Sequence, residues 1–256
     1  WDVVEQKIWL NNFPELEELY PWNSIERRAI GYIMALLNGN DIIISIDDDN
    51  YISEPDYLSK ISNLGTKNSI KSMGSTSNWF NVCRGLKTID NRIFYPRGFP
   101  YSQKWKDNKI IENSRTSRLV VQAGMWLGDP DIDAVTRLEK PIDVIGVEDW
   151  LLDNICLGED TYCPFNTQNT AVYKDVLPAW FNSPVIDRFS DIWASYLVIR
   201  IANHLNDLIG FGHPIVKQNR NDHNLFKDLE SELFGMRNTD FFISSINSIT
   251  LTSNDY

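Results

Sequence analysis

An α/β domain, with a mostly parallel sheet flanked by helices, is the fold class the sequence predicts, and three stretches predict it. Residues 24–37 carry Ala29, Ile30, Ile33, Leu36 and Leu37 at the three-to-four spacing of a helix with one face on a core. Ile42, Ile43, Ile44 and Ile46 then form a β-branched run, the pattern of a strand buried on both faces. A second buried run follows at residues 119–128. Helix, short turn and buried strand are the αβ unit from which a parallel sheet is built.

The remaining elements follow in order. Residues 1–13 read as a helix with Val3, Val4, Ile8 and Trp9 on one side. Asn23 or Ser24 caps the second helix, and Gly39-Asn40 stops it. Only this much precedes the first strong strand, whereas a nucleotide-binding α/β domain opens with strand, helix, strand. An opening βαβ unit of roughly 30 to 50 residues is therefore expected to be missing from the chain. Residues 54–58 start a short helix, and the Ser-rich residues 70–81 read as loop and edge. Residues 93–101 hold two prolines and a glycine among aromatic rings, so they read as a fixed loop presenting Arg97. After the run at 119–128, Asp129, Asp131 and Asp133 precede a helix they can cap. Residues 162–173 are a polar loop entering a strand, 189–202 a long amphipathic helix, and 211–224 a strand and polar loop. A domain over residues 1–235, ending in a helix from about 225, and a Ser/Asn-rich tail or the start of a further segment over 236–256 complete the expected organisation.

Composition narrows the function classes. With 256 residues, 43% of them apolar, the chain can bury one large core. A net charge of −11 argues against nucleic-acid binding, which needs clustered Lys and Arg. Cys83, Cys156 and Cys163 form neither a close metal spacing nor an even disulfide framework, which fits the reducing cytoplasm. No apolar run approaches a membrane span, and no signal peptide is visible, although the chain opens on Trp1 rather than Met.

The chemistry concentrates at Asp47-Asp48-Asp49, where the first buried strand must end. Ligands of open α/β sheets bind at the carboxyl ends of strands. Strand alternation would put Asp47 and Asp49 on one side, with Asp48 on the other. Paired carboxylates suit Mg²⁺ or Mn²⁺ with substrate phosphates. The pattern is similar to the D-x-D arrangement of nucleotide-sugar glycosyltransferases with the GT-A fold. A solvated acidic turn would carry the same residues, and the αβ unit before it favours the site. Arg27 or Arg28, in the first turn of the preceding helix, could reach a diphosphate. Asp191, beside Trp193, is a candidate acceptor-side base, with Asp149 competing for that role; each could equally serve a helix start. Asp131, Asn166, Gln168 and Asn169 are candidates for sugar hydroxyls. Lys217, Arg220 and His223 form a basic cluster that could close over the diphosphate, His223 also as a metal ligand.

With these residues in place, the chain resembles the reversibly glycosylated polypeptide family, the plant UDP-arabinopyranose mutases. Four motifs carry the likeness in order: Ile46-Asp47-Asp48-Asp49; Arg97-Gly98-Phe99-Pro100-Tyr101-Ser102; Gly124-Met125-Trp126-Leu127 with Pro130-Asp131-Ile132-Asp133-Ala134; and Ser190-Asp191-Ile192-Trp193-Ala194. Arg28 and Gly31 also match the family ahead of the acidic strand. The resemblance implies a GT-A-like, Rossmann-like fold, UDP-sugar binding, a divalent metal at the triple Asp, and self-glycosylation of the arginine matching Arg97. Trp126 and Asp48 fall with Arg28 on the expected substrate side. Ser190 stands where the family has the first of two acids, and no late Trp-His-Ser occurs around Lys217. These departures make a metal-dependent glycosyltransferase the expected activity, moving a sugar from UDP to a glycan or other acceptor in polysaccharide biosynthesis. A UDP-sugar mutase with self-glycosylation at Arg97 is the first alternative, and a non-catalytic nucleotide-sugar-binding subunit the second.

Overall fold

A computed structural model describes residues 3–22, 24–106 and 108–256, with the backbone but not the side chain of Ile25. The chain opens with helices α1 (Val3–Leu10) and α2 (Pro14–Leu19), then a 3₁₀ turn (Ile25–Arg27) runs into α3 (Arg28–Leu37). Strands β1 (Ile42–Ile46), β2 (Asn50–Ile52), β3 (Lys67–Ser75), β4 (Leu86–Thr88) and β5 (Ile110–Gly128) follow. Then come α4 (Ala134–Glu139), β6 (Val144–Val147), α5 (Asp149–Leu152), β7 (Ile155–Leu157) and β8 (Asn169–Tyr173). The chain continues with α6 (Ser190–Leu205), β9 (Leu208–Gln218) and α7 (Leu225–Ser248). The expected caps at Asn23 and the residues Trp1 and Asp2 lie outside the described residues; Ser24 makes no side-chain cap.

The sheet is mixed rather than mostly parallel. Its order is β1-β8-β5-β3-β7-β9-β2, with β4 and β6 paired beside it. Among the described strands, β3–β7 and β5–β9 pair in parallel and the other pairs are antiparallel. Apolar periodicity marks a strand and its faces but carries no information on direction, which the connections decide. The 19-residue β5 is the spine: it pairs with β3 along its exposed first half, and with β8 and β9 along its buried second half.

Two further expectations are corrected. Residues 67–75 form an inner strand: β3 pairs with β5 on one side and β7 on the other, with Met73 buried in the core and Ile70 packed against it. The isoleucine strand is an edge strand with alternating burial: Ile43 and Ser45 face inward, while Ile42, Ile44 and Ile46 are half-buried.

The main core lies between the sheet and α6, where Tyr196, Val198, Ile199 and Ala202 are fully covered. A smaller cluster of Leu10, Tyr20, Ala29 and Ile30 ties α1 and α2 to α3. On α1 this leaves Val3, Val4 and Ile8 exposed, so the buried side of that helix is not the expected one. The C-terminal residues are not a tail from 236. Asn224 caps α7 through the amides of Phe226 and Lys227, and the helix runs unbroken across residue 235, burying Thr239, Ile243 and Ile246. Gly235 is the contact point, since a Cβ there would overlap the Phe189 ring.

Gly235→Ala should therefore destabilise the whole domain by about 1–3 kcal/mol through overpacking. Thermal melting should show a single transition lowered by several degrees; an unchanged midpoint would mean that α7 is not part of the core.

Candidate functional site

An open cavity of about 1050 Å³ lies along the edge strand β1 and the start of α3. The strand ends in a turn, not in continued alternation: the Asp47 amide donates to the Gln168 carbonyl at 3.0 Å, and the Asn50 amide donates back to the Asp47 carbonyl at 3.2 Å. The turn brings Asp47, Asp48 and Asp49 all onto the cavity, where alternation would have turned Asp48 away.

Each acid has a distinct environment. Arg28, in the first turn of α3, donates to Asp47 Oδ1 at 2.9 Å and to the Thr167 carbonyl at 3.3 Å. Asp49 accepts from the Gln218 and Asn50 amides at 3.2 and 3.1 Å. Asp48 is exposed. Burial pushes the Asp47 carboxyl above its usual range, with Asp191 and Asp131 adding to the rise while Arg28 opposes it. One turn after Arg28, Tyr32 donates to Ser45 Oγ at 2.8 Å and stacks on Trp180 with centroids 5.2 Å apart.

The second half of the site is a buried ion network around Arg97. Its loop is shaped at Gly98, whose φ of +83° favours glycine and whose missing side chain makes room for Ile192. Arg97 Nε donates to Asp131 at 2.9 Å, and the terminal nitrogens meet Asp191 at 3.3 Å and the Arg188 carbonyl. Asp191 also accepts from the Thr167 amide and hydroxyl, and Asp131 from the Asn166 amide at 2.6 Å. Both carboxylates are only about a tenth exposed. Burial alone would raise the Asp131 carboxyl, but the Arg97 guanidinium and the Asn166 amide outweigh it and hold it well below the usual range. The same two carboxylates hold Arg97 firmly protonated against its own burial.

The structure thus gathers Arg28, Asp47, Asp48, Asp49, Arg97, Asp191 and His223 on one cavity. Other expected residues lie elsewhere. Asp149 is exposed at the start of α5 and does not line the cavity. Trp193 is a core residue, stacked on Phe242 at 4.3 Å and donating to Thr239. Trp126 is buried and donates to Gln168, so it supports the site from below. Asp131 and Asn166 likewise act behind Arg97. Lys217 points outward on β9, and Arg220 packs toward Asp228. The apolar stripes of β9 and α6 explain the miss: they set which side chains face the core, and Trp193 obeys that rule.

The oxygen-only donor set at 47–49 has the chemistry that Mg²⁺ or Mn²⁺ takes. His223 does not join it: its Nδ1 lies 3.2 Å from Asp228. Among the described residues no group of three His, Cys, Asp or Glu side chains is gathered around a metal position. Tyr32, Thr167, Arg188 and Asn221 also line the cavity, and sequence reasoning missed them. Tyr32 had a signal, being four residues after Arg28 on one helix face.

The sequence profile of the family described as "Reversibly glycosylated polypeptide" matches residues 16–256. UDP-arabinopyranose mutase 3 of Arabidopsis thaliana is 26% identical over 233 residues, covering 88% of this chain and 59% of that protein. UDP-arabinopyranose mutase 1 of Oryza sativa subsp. japonica is 24% identical over 222 residues, covering 82% and 54%. The chain spans little more than half the length of these relatives. Among the described residues no helix is long and apolar enough to cross a membrane.

Two outcomes test the ion network. Arg97→Met should cost about 3–5 kcal/mol, because it strands two buried carboxylates; denaturant unfolding measures it. The lowered Asp131 carboxyl adds stability above the ordinary Asp range near pH 4, and loses it as pH falls below that range. Melting curves from pH 7 down to about 3 should fall less steeply in Asp131→Asn than in the parent.

Proposed function

The chain belongs to the reversibly glycosylated polypeptide family, and on that premise we propose that it binds a UDP-linked pentose beside Asp47 and interconverts its pyranose and furanose rings. The observation that carries this reading is one cavity holding the three aspartates and Arg28 in a chain whose relatives are named UDP-arabinopyranose mutases. Ring interconversion is an isomerisation, so it consumes neither an acceptor nor a redox partner.

In this reading Arg28 lies in position to donate charge-assisted hydrogen bonds to the diphosphate. Asp47 and Asp49 offer the oxygens that would hold Mg²⁺ or Mn²⁺, with Asp48 beside them. A divalent ion bound there would offset the charge of the diphosphate and act as a Lewis acid on its leaving oxygen. Asp191 is ion-paired with Arg97 and accepts from the Thr167 and Ile192 amides, which holds its carboxylate in one orientation beside the cavity. Arg97, protonated and enclosed by two carboxylates, orients Asp131 and Asp191 rather than receiving a sugar. Self-glycosylation at Arg97 would first require that network to open.

Sugar transfer to a separate acceptor is the second reading, favoured by Ser190. Among the described residues its hydroxyl is buried without a hydrogen-bond partner, at the position where the family resemblance places an acid.

Incubation with UDP-arabinopyranose and Mn²⁺ should yield the furanose form without added acceptor, and Asp49→Ala should lower that turnover at least 100-fold while the melting midpoint holds (the order expected for losing a charge-stabilising group). Product formed only when a glycan acceptor is present would favour transfer instead. Full activity in the variant would remove the acidic turn from the mechanism.

A further inference from the structure

We propose that Arg188 receives the sugar-linked phosphate of the nucleoside diphosphate, forming an anion subsite on the α7 side of the cavity. This inference rests on the nucleotide-sugar reading of that cavity. The need for such a group follows from charge. Four carboxylates, at Asp47, Asp48, Asp49 and Asp191, face the cavity and would repel a diphosphate. Arg97 lies there too, but its guanidinium is engaged by Asp131, Asp191 and the Arg188 carbonyl.

Arg188 is built differently. It sits on the 3₁₀ turn Asp187–Phe189, just before α6; the residue lines the cavity, and its side chain is 17% exposed. Two carboxylates of α7, one turn apart, fix its plane from behind. Nε donates to Glu232 at 3.2 Å, and Nη1 lies 3.3 Å from Asp228. Nη2 donates no hydrogen bond among the described residues. A guanidinium held on one side and open on the other is pre-organised for a phosphate oxygen, since its fork is already oriented.

The wall around it is crowded with nitrogen groups that share few carboxylates. Asp228 is shared by three basic groups: Arg188 at 3.3 Å, Arg220 at 4.0 Å and His223 at 3.2 Å. Glu232 is the remaining counter-charge, and its second oxygen accepts from the Ala134 amide at 2.8 Å. Asn221 and His223 reach the same cavity from the loop before α7, beside Arg188. An anion arriving at Arg188 therefore meets the open side of a guanidinium whose two carboxylate partners are both shared with other groups.

Calorimetry with UDP and with UMP, both in Mn²⁺, separates this subsite from the rest of the nucleotide. Arg188→Gln should weaken UDP at least ~10-fold and leave UMP within about twofold, because UMP lacks the second phosphate. Arg188→Lys keeps a cation for Asp228 and Glu232, so it guards against a variant that fails to fold. It should melt near the parent and still bind UDP more weakly, because the fork is lost. Unchanged UDP affinity in folded Arg188→Lys and Arg188→Gln, or equal losses for UDP and UMP, would overturn the assignment. A parent protein that binds neither nucleotide would overturn the nucleotide-sugar reading itself.

Discussion

The buried contact of Arg97 with Asp131 and Asp191 is the constraint on which the rest of the site depends. It joins three segments far apart in the chain: the loop at 93–101, the segment leading into α4, and the first turn of α6. Asn166 and Thr167 add the loop before β8. An isolated buried charge is expensive, so each member holds the others in place. Thr167 then carries the constraint outward, because its carbonyl accepts from Arg28, which in turn holds Asp47. The acidic turn and the arginine network are thus one connected structure reached from two sides.

Two sheet features place that structure. The long β5 aligns β8 and β9 on its buried half, so Gln168, at the end of the loop before β8, sits close to Gln218 at the end of β9. Gln168 accepts the Asp47 amide through its carbonyl, and Gln218 donates to Asp49. The acidic turn is therefore clamped by the ends of two strands distant from it in sequence. The α7 helix closes the other side through Asp228 and Glu232, which is why its uninterrupted course past residue 235 bears on function as well as packing.

Much of this was legible in the chain, and the failures have physical causes. The acids after the isoleucine run, the arginine in the preceding helix and the rigid loop around Arg97 all arise from local patterns. The direction of each strand, and the edge position of β1, depend on which segments pair across long separations, and periodicity does not record that. Ser-rich β3 was hidden because only Met73 and Ile70 in it are apolar, too few to show a strand period. Arg188 was missed for a related reason. Its importance lies in Asp228 and Glu232, residues 40 or more positions away, and in a polar contact that leaves no periodic trace. Trp193 shows the converse, an aromatic beside an acid that simply fills the core.

The edge position of β1 also bears on motion. A strand held by a single ladder to β8, with its other side toward the cavity, opens at lower free energy than the strands on both sides of β5. Opening of that strand would pull on the acidic turn, and through Arg28 and Thr167 on the arginine network behind it. A ligand that bridges Asp47 and Arg28 would quench that opening. Part of its binding free energy would then go into ordering one strand, so that affinity is exchanged for local order.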